Sequence, residues 1–120
     1  MPEMNVLAVA SMAPDEREAK MGELFQQLLP LPEPDQLSAL QALIKEMAEK
    51  ATDEQYKNLC FTNLKLAAGL PDEILKKFLV VRLEAGRTLP QPLAERDHML
   101  MQESLGEVDA GIRNKIMDNM

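Results

Sequence analysis

Apolar residues recur at intervals of three and four along most of the chain, and no stretch alternates cleanly between apolar and polar. That period predicts helices and no strand. Prolines divide the periodic stretches: Pro14, Pro30, Pro32, Pro34, Pro71, Pro90 and Pro92 fall between them, and none interrupts one. Proline fits the first turn of a helix and is excluded from its interior. The marks therefore predict six helices, over about 15–29, 35–50, 53–68, 72–86, 93–106 and from 109 onward. The fold class is all-α, a compact bundle of about six short helices.

The predicted starts have local causes beyond proline. Asp15 and Glu16, and again Asp72 and Glu73, follow a proline and place carboxylates at the positive end of the helix dipole. Thr52-Asp53-Glu54-Gln55 reads as a capping box. Gly69, Gly86 and Gly106 each follow a periodic run, where a left-handed C-terminal cap is expected. A shift of 19 residues lays Asp53-Glu54 on Asp72-Glu73, Lys57 on Lys76, Leu59 on Phe78, Leu64 on Leu83 and Leu70-Pro71 on Leu89-Pro90, a weak tandem helix-turn repeat. Residues 1–13 (MPEMNVLAVASMA) lack the basic start of a signal peptide and read as a flexible tail. The alternative there is that Val6-Leu7-Ala8-Val9 docks on a groove of this or a neighbouring subunit. Residues 14–120 then form a single helical domain.

Two faces differ in kind. Leu37, Leu40, Leu43, Ile44, Met47 and Ala51 make one apolar stripe opposite Gln36, Gln41, Lys45 and Glu49, which predicts a half-exposed helix. In the predicted helix at 72–86, Phe78-Leu79-Val80-Val81 is apolar all round a turn, and Ile74, Leu75, Leu83 and Ala85 extend it. Such a helix is expected at the centre of the bundle or in a subunit interface.

Composition narrows the function classes. Aromatic residues are only 3% and methionines number nine, so the core is filled by Leu, Met, Ala, Ile and Val. A net charge of −7 repels a phosphate backbone, which argues against nucleic acid as a partner. The single cysteine, Cys60, excludes an internal disulfide and a cysteine-based zinc site, and fits a reducing, cytoplasmic setting. No apolar run approaches the ~20 residues of a transmembrane helix.

The candidate chemistry is sparse, and no phosphate-cradling glycine loop or Ser/His/Asp grouping can be assembled. Glu95 and His98 stand one turn apart, the spacing of a ligand pair in carboxylate-bridged di-iron bundles, although such centres use two pairs and further glutamates. Cys60 lies between Leu59 and Phe61 and reads as a small buried hydrophobe. No cofactor is called for. These readings favour a small helical interaction or regulatory module that self-associates, with a homodimer expected, through Phe78, Leu79, Val80, Val81, Met99 and Met101. The alternatives are a metal-dependent or redox enzyme with Glu95 and His98 completed across a dimer, and a carrier of an apolar small molecule between Leu- and Met-rich helices.

Overall fold

Proline and carboxylate set the helix starts in the order implied by the sequence. The computed structural model describes residues 5–120, among which there are seven helices and no strand. They are α1 (Val6–Ala10), α2 (Pro14–Leu28), α3 (Glu33–Lys50), α4 (Asp53–Ala68), α5 (Asp72–Arg87), α6 (Gln91–Glu107) and α7 (Ala110–Asp118). Prolines occupy the first turn of α2, α3 and α6. Thr52 completes the capping box of α4: Thr52 Oγ1 accepts from the Gln55 amide at 3.1 Å, and Gln55 Oε1 accepts from the Thr52 amide at 2.9 Å. No helix of the described residues is long and apolar enough to cross a membrane.

Two expectations are corrected. Residues 1–4 lie outside the described part of the chain, but within the expected tail Val6–Ala10 form α1, and Val6, Val9 and Ala10 are buried against α2, α3 and α4. Five residues are too few to hold a helix by propensity, so α1 owes its shape to that apolar seat. The second correction concerns the glycine caps, because no described glycine has a positive φ. Gly69 ends α4 in right-handed conformation at φ −80°, while Gly86 and Gly106 lie inside α5 and α6.

Side chains from later in the chain close the helix ends instead. Gln36 Nε2 donates to the carbonyls of Leu29 and Leu31 at 3.0 and 3.2 Å, just beyond α2. Arg113 donates to Leu105, Gly106 and Val108 at the end of α6, at 2.9, 2.9 and 2.8 Å. Arg96, on α6, reaches the end of α3, where Nη1 donates to Ala48 at 2.8 Å and Met47 at 3.3 Å, and Nη2 to Ala51 at 2.6 Å. A cation at these carbonyls also opposes the negative end of the helix dipole.

The centre of the bundle is α4, which packs against α1, α2, α6 and α7. Helix α5, expected there or at an interface, packs on α3 and α6 and leaves its outer side open. Its inner side supplies Leu75, Phe78, Leu79, Val81 and Ala85 to the core, with Phe78 against Phe25 at 5.1 Å between ring centroids. The radius of gyration is 13.0 Å.

Candidate functional site

Helices α5 and α6 leave a tight turn at Thr88–Pro90 and diverge, and what holds them together starts from a missing side chain. Gly86 has no Cβ, and one placed there would lie 2.2 Å from Asp97 Oδ2 on α6. The space is used by the Asp97 carboxylate, which is buried. Arg82 meets it two-pronged, Nη1 to Oδ2 at 3.0 Å and Nη2 to Oδ1 at 2.7 Å, and the Tyr56 hydroxyl of α4 donates to the same Oδ1. One carboxylate thus joins three helices. Arg96 passes over the other side of this group, its guanidinium carbon 5.4 Å from the centre of the Tyr56 ring.

The electrostatics follow from burial and pairing. Burial works to raise the Asp97 pKa, but the hydrogen bonds and charge of Arg82 outweigh it and hold the carboxyl below its ordinary value. Arg82 is pulled down by burial and, more strongly, pushed up by Asp97, so both partners are ionised at neutral pH. Burial, and then the neighbouring Asp97 charge, push the Tyr56 phenol well above its usual range. Burial likewise pushes the Cys60 thiol up to about 11, against the lowering effect of Arg82. Its Sγ lies 3.3 Å from Met101 Sδ.

On one side of this network is a small cavity of about 70 Å³, lined by Val6, Phe25, Met47, Cys60, Asn63, Phe78 and other core residues. That is a packing gap rather than room for a sizeable organic ligand. On the other side is a groove of about 1010 Å³. One wall carries Leu79, Leu83 and Arg87 of α5, spaced by four residues, and the other Ala94, His98, Met101 and Leu105 of α6. Leu64 of α4 lies at its floor with Arg82 and Asp97, while Ile116 and Met120 close the far end. That end is held to α5 by Lys115 Nζ on Asp72 Oδ1 at 2.7 Å and by Asn119 Nδ2 on the same oxygen at 3.3 Å. The lining is mainly apolar, with polar groups at the rim, as in surfaces that take another chain.

The six residues expected on an interaction surface are separated by the structure. Phe78, Leu79 and Val81 are buried in the core, and of these only Leu79 also lines the groove. Met101 is half-buried and lines both groove and cavity. Val80 is 68% exposed, and Met99, 49% exposed, is not part of the groove. Glu95 and His98 both lie on the groove wall and are exposed, with Gln91 Nε2 donating to Glu95 Oε1 at 3.1 Å. Among the described residues, no group of three or more His, Cys, Asp and Glu side chains is placed to hold a metal ion. Arg82, Gly86, Asp97 and Tyr56 were not singled out as a group by sequence reasoning. The signal for them was an arginine inside the apolar run Phe78–Leu83. Comparison of the chain with protein-family models, with curated proteins and with solved structures finds no match.

Proposed function

We propose that this chain is a helical protein-interaction module that receives an apolar helix in the groove between α5 and α6. The observation that carries the reading is the pair of facing stripes, Leu79–Leu83–Arg87 and Ala94–His98–Met101–Leu105, which line one groove closed at its far end by Ile116 and Met120. Two largely apolar ridges with a trough between them are a shape into which an amphipathic helix can lay residues at i, i+3, i+4 and i+7. The Arg82–Asp97–Tyr56 group ties the walls to α4, so the trough is built before its occupant arrives, which lowers the cost of binding. An enzymatic reading has less to stand on, because exposed Glu95 and His98 supply two ligands where a zinc centre takes three or four, and Cys60 is protonated and buried.

The test is an NMR titration of the isotope-labelled protein with a synthetic amphipathic helix of Leu, Lys and Glu. Amide shifts confined to residues 79–105 and the end of α7, abolished by Leu83→Asp, are the expected result. Shifts scattered over the surface, or none at millimolar peptide, would refute the reading.

A further inference from the structure

We infer that Met101 is a site of reversible oxidation, at which a peroxide turns the thioether into a sulfoxide that Cys60 and Ser104 receive as hydrogen-bond donors. Met101 stands where core and solvent meet. It is half-buried on α6, lines the open groove and the small cavity, and its Sδ accepts from the Cys60 thiol at 3.3 Å. One turn further along the same face of α6, Ser104 is buried, and its Oγ has no hydrogen-bond partner among the described residues. That hydroxyl stands close enough to Cys60 to bear on the thiol. A buried hydroxyl without a partner detracts from stability, and a thioether is only a weak acceptor. Two donors therefore lie at this contact, one on a weak acceptor and one on none.

Protonation and exposure select which sulfur reacts. A thiol attacks peroxide as its thiolate, and Cys60 is buried with its thiol pushed up to about 11, whereas a thioether needs no deprotonation. Met21 and Met47 are buried in the core, and Met99 and Met117 are exposed, where an added oxygen meets only water. At Met101 an Sδ lone pair attacks one oxygen of hydrogen peroxide and the O–O bond breaks. The departing hydroxide takes the proton of the transferred oxygen and leaves as water, so sulfur loses two electrons and the peroxide gains them. The new oxygen is a strong acceptor for the Cys60 and Ser104 donors. A dithiol-dependent sulfoxide reductase reverses the change, giving thioether, disulfide and water. On the groove side the wall gains a dipole, which weakens the binding of an apolar helix; that consequence rests on the groove reading above, and the site itself does not.

The whole chain, Ser104→Ala, Met101→Leu and the double variant are to be treated with millimolar hydrogen peroxide, mapped by peptide mass spectrometry, and unfolded in urea before and after treatment. Met101 is expected to take up one oxygen in the folded protein within about tenfold of the rate of Met99, while Met21, Met47 and Cys60 stay reduced. Ser104→Ala is the sharpest arm. In the reduced protein it removes an unpartnered hydroxyl, so the folding constant should stay the same or rise; in the oxidised protein it removes a donor to the sulfoxide, so the constant should fall about tenfold. In the Met101→Leu background this dependence on oxidation should vanish, which subtracts the other methionines. A Met101 that oxidises as slowly as Met21 and Met47, or a Ser104→Ala effect of the same sign and size in both states, overturns the inference. The synthetic helix of Leu, Lys and Glu is expected to bind the oxidised chain about tenfold more weakly than the reduced one. Equal affinity for both forms overturns the effect on the groove, and a helix that binds neither form refutes the groove reading while the Ser104 comparison still decides the site.

Discussion

Replacing Gly86 by alanine should destabilise the protein, against the ordinary direction of that change. In a helix interior Gly→Ala is worth up to about 1 kcal/mol in favour of alanine. At Gly86 the new Cβ would stand 2.2 Å from Asp97 Oδ2, 3.3 Å from Asp97 Cγ and 3.1 Å from Arg82 Nη1, an overlap of roughly an ångström with an oxygen that cannot simply swing aside. That carboxylate is held by two nitrogens of Arg82 and the Tyr56 hydroxyl. Moving it strains or breaks a buried ion pair, and full loss of one partner would cost about 3–5 kcal/mol. Partial relaxation brings the cost to about 3 kcal/mol, within the range for overpacking, which leaves a net loss of about 2 kcal/mol after the helical gain. Gly22 is the control, because it lies within α2 and a methyl group added there would meet nothing inside 4 Å. Gly22→Ala should therefore stabilise by about 0.5–1 kcal/mol. Urea denaturation followed by circular dichroism, with equal m-values, measures both. A Gly86→Ala protein as stable as the wild type would refute the close approach of α6 to α5 that builds the groove.

Three further outcomes follow from the same geometry. Because the folded pKa of Asp97 is depressed, its contribution is present above the unfolded carboxylate value of about 3.9 and is lost as pH falls through the folded value; the stability gap between wild type and Asp97→Asn should therefore be flat from about pH 5 to 8 and shrink below about pH 4. A gap that grew on acidification would mean the ion pair is absent. Arg96→Ala strips the carbonyl ligands from the end of α3 and should cost about 2–3 kcal/mol, with hydrogen exchange speeding up first around residues 47–53. The Cys60 thiol, pushed up to about 11, should react with a disulfide reagent at about pH 8 only as fast as the protein opens, and at full speed in denaturant; rapid labelling of the native state would show the thiol to be accessible.

The helix starts were legible because their causes are local. Proline in the first turn and the Thr52–Gln55 box act within four residues, and the starts of α2 to α7 fall within two residues of those expected. The ends were not legible, because the carbonyls of α3 and α6 are met by arginines that no local rule connects to them, and the glycine expected to end α5 serves another purpose at Gly86. Helix α1 was missed because five residues show no period, and its helicity depends on a seat formed by three other helices. At the groove the residue types were visible but their grouping was not. Phe78-Leu79-Val80-Val81 is apolar in every direction on paper, whereas packing on α3 and α6 takes three of the four inward and turns Val80 out. Arg82 reads as one more surface charge until the gap at Gly86 brings Asp97 to it across the turn.

Arg96 and Asp97 are adjacent, and together they give α6 the position of a keystone. The carbonyl of Ala51 waits for a guanidinium encoded 45 residues later, and Arg82 of α5 for a carboxylate 15 residues on. Because Arg96 and Asp97 tie α6 to α3, α4 and α5 at once, loosening α6 strips partners from three other helices together, so the bundle is expected to unfold as one cooperative unit.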